Sequence, residues 1–167
     1  IYKDSLRNVW ILSDHGLFRI AEGEGHPGLI AFGAVGKTDD RAFFCLQEFD
    51  GKIWLGSENG TLLITDSDAG RPQEISFDVR SNLVAIKPLH NREMIILTSD
   101  DGFFVYDLLT GKKKHFYKDK YPSMPSDKMV SVFIDRYGEA WVETAADGVT
   151  HYDPFSGAVR HFRMNVD

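Results

Sequence analysis

The chain is almost without cysteine, has no long apolar run and carries no basic surplus, and each shortage excludes a class of protein. One cysteine, Cys45, among 167 residues rules out an internal disulfide framework. It stands in the apolar run FFCL, where a buried, unreactive thiol is expected rather than a nucleophile. No apolar run approaches the ~20 residues that a membrane-spanning helix needs. The 19 Lys and Arg are outnumbered by 25 Asp and Glu, and a net charge of −6 argues against a nucleic-acid partner. Helical periodicity is missing throughout, because Gly, Pro and Asp interrupt each run too soon. No signal peptide is present, and a start at Ile1 in place of Met predicts a piece of something longer.

What is present is ordinary in bulk and unusual in pattern. A hydrophobic fraction of 43% and a charged fraction of 26% are those of a globular domain with a real core. The 12 Phe, 6 Tyr and 3 Trp favour pleated, half-buried strands.

Four segments repeat: NVWILSDHGLF, KIWLGSENGTL, EMIILTSDDGFF and EAWVETAADGVT. Trp10, Trp54, Ile95 and Trp141 mark them at spacings of 44, 41 and 46, and the turn glycines Gly16, Gly60, Gly102 and Gly148 at 44, 42 and 46. Two markers keeping one period exclude chance. The last two units agree further: TSDDGFFVYDLLTG (Thr98 to Gly111) parallels TAADGVTHYDPFSG (Thr144 to Gly157), each followed by His-Phe. Upstream, Asp4 and Asp135 stand six residues before Trp10 and Trp141.

A period of about 44 residues is that of a propeller blade, a sheet of four short antiparallel strands. The sequence therefore predicts an all-β chain of about four blades, with units at 1–39, 40–80, 81–127 and 128–167 of a single β-propeller segment. Each unit reads as an apolar strand, a turn with Asp and often Gly, the marker strand, an S/T-x-x-G turn, a third strand and a fourth after a T/S-G turn. The marker residues are expected at equivalent, largely buried sites. EGEGHPG (Glu22 to Gly28) and KDKYPSMPSDK (Lys118 to Lys128) are expected to join blades. The opening strand is cut to Ile1-Tyr2-Lys3, which predicts an open partial propeller with uncovered edges and faces.

Other chemistry fails on context. GEGHPG matches G-x-G-x-x-G at Gly23, Gly25 and Gly28, but a dinucleotide site needs a helix to open there and Pro27 precedes a strand. AFGAVGKT approaches a phosphate loop, yet Ala31 stands where its first Gly belongs and a strand follows. No His falls in a zinc spacing, and His115 and His161 share one repeat position. Asn59-Gly60-Thr61 is a glycosylation sequon lying in a repeat turn. No cofactor, metal site or catalytic residue is expected.

The turn between second and third strands is the place for a ligand. It carries Asp14-His15, Glu58-Asn59, Asp100-Asp101 and Ala146-Asp147, which blade symmetry would set on one rim. Such acceptors suit sugar hydroxyls. Polar residues also simply make good turns, and the residues alone favour that plainer reading. The acidic rim would disfavour anionic chains unless basic side chains such as Arg7 or Lys52 intervene.

The pattern D-x-x-G-x-x-W-[IVL]-x-[ST]-x-x-G, with a later Y-D and T-G, resembles the two-component-regulator propeller repeat, best in DGKIWLGSENGTL and DRYGEAWVETAADGVTHYD. The third unit departs, with Ile95 for Trp and Asn91-Arg92 for Asp-Gly; units one and two lack the Y-D pair. The resemblance implies the periplasmic sensor region of a hybrid two-component histidine kinase, outside the inner membrane. It implies further blades of the same parent chain, a homodimer of the parent, and an oligosaccharide ligand, with kinase chemistry elsewhere. A secreted carbohydrate-active enzyme on a propeller scaffold and a pure protein-interaction platform remain open.

Overall fold

The computed structural model describes residues 1–13, 16–30, 41–66, 72–145 and 148–163. In these residues the chain is all-β, with four four-stranded antiparallel sheets and one short 3-10 turn, His90–Arg92. It divides into two compact units, Ile1–Arg80 and Ser81–Asp167.

The first unit holds two sheets, each in chain order from edge to edge. One is β1 (Tyr2–Lys3), β2 (Val9–Ser13), β3 (Gly16–Ile20) and β4 (Gly28–Ile30); the other is β5 (Phe43–Phe49), β6 (Lys52–Ser57), β7 (Thr61–Asp66) and β8 (Gln73–Ser76). The tight hairpins of the second sheet follow from two dipeptides. Asp50-Gly51 (φ 51° and 69°) forms a two-residue hairpin loop between the paired Phe49 and Lys52, and Asn59-Gly60 (φ 54° and 62°) forms the centre of the Glu58–Thr61 turn; both pairs take the left-handed region, which matches the strand twist. Alternation along the strands then sends Trp10, Leu12 and Leu17 to one face of the first sheet, where they pack on Phe43, Ile53, Leu55 and Leu63 of the second.

The second unit repeats the plan. Its sheets are β9 (Leu83–Pro88), β10 (Glu93–Thr98), β11 (Phe103–Asp107) and β12 (Lys113–Phe116), then β13 (Met129–Ile134), β14 (Ala140–Thr144), β15 (Val149–Asp153) and β16 (Ala158–Phe162). Ile95, Leu97, Phe103, Val105 and Phe116 of the former meet Met129, Ala140, Val142 and Tyr152 of the latter. Phe103 stacks on Phe116 at 4.7 Å, and Tyr152 meets both rings edge-on.

Three expectations need correction. Glu22 to Pro27 does not join blades: it links β3 to β4 inside the first sheet, because Gly28 pairs with Arg19. Trp10, Trp54 and Ile95 are buried, but Trp141 is only half-buried, on a face of the fourth sheet that no other described sheet of its unit covers. Cys45 is half-buried, since a register shift between Phe43 and Cys45 interrupts the regular pairing of β5. Gly28 opens a strand, not a helix, which removes the dinucleotide reading. The phosphate-loop-like AFGAVGKT lies outside the described residues.

Candidate functional site

The turn between second and third strands is built the same way in three sheets, which explains two letters of its motif. The Ser or Thr hydroxyl closes the turn: Ser13 Oγ donates to the Gly16 carbonyl (3.2 Å), Ser57 Oγ to that of Thr61 (3.1 Å), and Thr98 Oγ1 to that of Gly102 (2.7 Å). In the third sheet the fourth strand's exit passes so close that only glycine fits. At Gly102 (φ 73°) a Cβ would stand 2.1 Å from the Phe116 carbonyl oxygen. Ser/Thr and Gly are therefore turn architecture. The polar pair between them is what this architecture presents outward.

Of the predicted ligand residues, Asp14, His15 and Asp147 lie outside the described residues. Glu58 and Asn59 are exposed, and their side chains make no bond to any described residue. Asn59 takes a left-handed φ of 54° at the hairpin turn. Asp100 is exposed, accepting from Ser99 Oγ (2.8 Å) and lying 3.8 Å from Lys128 Nζ. Asp101 is different. It accepts from Ser81 Oγ, its amide donates to Thr98 Oγ1 (2.8 Å), and its carbonyl meets His115 Nε2 at 2.7 Å. Asp101 is thus a brace, leaving Glu58, Asn59 and Asp100 with side chains directed to solvent.

Several partners escape a reading of the turn alone. Ser81 and Lys128 reach the third sheet's turn from segments that precede and follow it. His115 lies flat on Phe104 (4.0 Å, 13°) while holding the Asp101 carbonyl. Its signal was its place four residues after Gly111, shared by His161 after Gly157. Arg7 and Lys52, the basic side chains that could offset the acidic turns, each pair with a carboxylate of their own sheet. Arg7, in the turn between β1 and β2, lies with Glu22 (3.1 Å), and Lys52, at the start of β6, with Asp66 (3.0 Å), each at the other end of its sheet from the second-to-third-strand turn.

Electrostatic work is concentrated at that other end. Burial opposes the charge on Asp4, but bonds from Trp10 Nε1 (2.8 Å) and from the Asn8 side chain and amide outweigh it and hold its carboxyl below the usual range. Asp135 is lowered chiefly by the Trp141 indole (3.0 Å), then by backbone amides of its turn. The Y-D aspartates act alike. Asp107 is lowered by the amides of Thr110 and Leu109, and Asp153 by the Ser156 hydroxyl and the Phe155 amide. These carboxylates fasten turns; they are not set up for acid–base work.

No family model and no curated protein matches the chain. Solved structures do match it in fold. It is similar to the extracellular domain ascribed to the hybrid two component system BT4673 from B. thetaiotaomicron, at 20% identity and a TM-score of 0.79, over 99% of this chain and 21% of that one. The corresponding domain of BT3049 from the same organism gives 15% and 0.74, over 96% of this chain and 24% of that one. Virginiamycin B lyase from Staphylococcus aureus gives 15% and 0.76, over 99% and 55%. The chain is a β-propeller segment of four sheets. It spans about a fifth of the length of the sensor domains it matches.

Proposed function

We propose that this segment belongs to the extracytoplasmic, periplasmic sensor region of a hybrid two-component histidine kinase. There it binds a glycan fragment and passes the signal on as part of a homodimer of the parent protein. The observation that carries the reading is the likeness, over 99% and 96% of the chain, to extracellular domains of two such systems. The repeat pattern supports it independently. No described helix is long and apolar enough to cross a membrane, so a membrane anchor would lie elsewhere in the parent.

In this reading the segment is non-catalytic and its ligand is neutral or cationic, taken up by the second-to-third-strand turns. Glu58 and Asn59 in the first unit, and Asp100 in the second, are the exposed side chains proposed to receive hydroxyls, and Asp14, His15 and Asp147 stand at the same place in the repeat. A carboxylate accepts two hydroxyl hydrogen bonds with strong geometry, while an anionic chain would be repelled.

The test is calorimetric titration of the parent's complete extracellular domain with neutral and anionic oligosaccharides. Saturable heat from neutral members is expected, weakened about tenfold or more by Glu58→Ala or Asp100→Ala, the loss of one charge-assisted bond. Binding of the anionic members alone, or chemical turnover of any, would reject the proposal.

A further inference from the structure

Exposed apolar side chains recur at one place in the repeat. Leu6, Leu109, Tyr137 and Phe155 are 61%, 70%, 62% and 62% exposed, and each stands two residues after a turn-fastening aspartate, Asp4, Asp107, Asp135 or Asp153. The aspartate grips the backbone of the apolar residue itself. Asp107 Oδ1 accepts from the Leu109 amide, Asp135 Oδ1 from that of Tyr137 and Asp153 Oδ1 from that of Phe155, each at 2.8 Å. The Leu6 amide bonds to Asp4 likewise. Turns of this kind take polar residues at their tips as readily, so turn chemistry does not account for the apolar side chains. Sheets packed alongside would cover faces and leave turn tips open.

In the second unit three of these tips share one end of the sheets, opposite the Asp100 turn. His90 links them. Its ring packs on Gly138, next to Tyr137, where a Cβ would stand 1.6 Å from His90 Cδ2, and it lies 5.4 Å from the Phe155 ring. Nearby, the Arg92 carbonyl accepts from the Leu108 amide (3.0 Å), next to Leu109. Each aromatic ring is braced on one side, Phe155 by His90 and Tyr137 by the Arg136 guanidinium at 5.0 Å, and each stays mostly exposed. Arg92, Lys112 and Arg136 are exposed around them, and the charge of Asp107, Asp135 and Asp153 offsets these cations.

We propose that Tyr137 and Phe155 are stacking platforms for a neutral saccharide chain, with Leu109 as an apolar flank and Arg92 and Arg136 donating to sugar oxygens. A pyranose ring is apolar on its C–H faces and rich in acceptors at its rim, which matches an open ring face bordered by guanidinium donors. A ring held by its own backbone and by a neighbour loses little freedom on binding. With the local charges offset, nothing at this end favours an anionic chain. The site rests on the glycan reading of this segment, and adds a contact at the end of the sheets opposite the Asp100 turn.

Calorimetric titration of the parent's complete extracellular domain with linear neutral oligosaccharides, together with proton NMR of the bound sugar, tests this. Stacking should move sugar C–H resonances upfield through the ring currents. Tyr137→Ser and Phe155→Ser, with unchanged circular dichroism, should each weaken binding about tenfold, the loss of one aromatic contact, and reduce those shifts. Tyr137→Phe and Phe155→Tyr should keep both affinity and shifts. The double variant Glu58→Ala/Asp100→Ala should leave the upfield shifts in place, so the two sites fail separately. Unchanged titrations in both Ser variants, or a bound sugar without upfield shifts, overturns the platforms and leaves the turn site standing. A domain that binds no neutral oligosaccharide overturns both. Ser variants that titrate like wild type but lower the mass seen by light scattering show a protein contact here, and overturn the saccharide site.

Discussion

The indole N–H of Trp10 donates to the carboxylate of Asp4 across a tight turn, at 2.8 Å, and Trp141 repeats the bond with Asp135 at 3.0 Å. The second sheet breaks the pattern. Glu48, six residues before Trp54, instead accepts from the amide and hydroxyl of Ser5 in the first sheet's turn. Trp54 Nε1 is left buried with no bond to any described residue. The same six-residue offset thus serves as an internal clamp in two blades and as a tie between blades in another.

Trp10→Phe removes the indole N–H together with part of the ring, and Trp54→Phe removes the same atoms without breaking a bond to a described residue, so the two compared isolate the clamp. Chemical unfolding should show a loss of about 1–3 kcal/mol, the cost of taking a partner from a buried charged group. Trp54→Phe, which has no bond to lose, should cost less, and equal losses at both positions would reject the clamp.

The lowered carboxyls of Asp4, Asp107, Asp135 and Asp153 set an acid limit. Each folded pKa lies below the unfolded one. The stability these groups contribute is therefore complete above the usual aspartate value of 3.8 and is lost as pH falls through the lower folded values. Denaturation midpoints should hold steady from neutral pH down to about 5 and drop steeply below about 4. Asp4→Asn should flatten that drop; an unchanged acid limb would count against it.

Tyr152 sets the alkaline limit. Burial first, and then the charge of Glu93, push its hydroxyl up to about 12. The unfolded chain ionises near 10, so the second unit should lose stability as pH rises from 10 towards 12. Tyr152→Phe should remove that dependence, as read from near-ultraviolet circular dichroism across an alkaline titration.

Truncating the markers should separate them by burial. Trp10→Ala should cost about 3–5 kcal/mol and Ile95→Ala about 2–5, as for fully buried side chains. Trp141→Ala should cost clearly less, because its ring is half-buried. Equal losses for Trp10 and Trp141 in urea titrations would contradict the bare face of the fourth sheet.

Gly102 and Gly51 share a positive φ, 73° and 69°, but not surroundings. A Cβ at Gly102 would collide with the Phe116 carbonyl, whereas one at Gly51 meets nothing within 4 Å. Gly51→Ala should cost about 1 kcal/mol of backbone strain, and Gly102→Ala should exceed it by about 2 kcal/mol or more. Unfolding midpoints that coincide would show that the fourth strand yields.

Much of this protein was legible in one dimension. Marker and glycine keep one period because each blade must present a core residue and close a hairpin at the same points, so Trp10, Trp54, Ile95 and Gly102 could be assigned before any fold was seen. Hairpins and cross-strand faces are local, and strand alternation alone decides which side chains share a face. Three matters were decided only by tertiary contact. Asp101 and Asp100 are alike in sequence, but Ser81 and His115 hold one inward and leave the other in solvent. Trp141 is flanked by apolar residues as Trp10 and Trp54 are, but burial depends on whether a sheet lies over its face. Glu22 to Gly28 reads as a connection between blades until Gly28 pairs with Arg19. Sequence determines which residues can pair or turn; which of them are covered depends on segments many residues away, and only the folded chain brings those together.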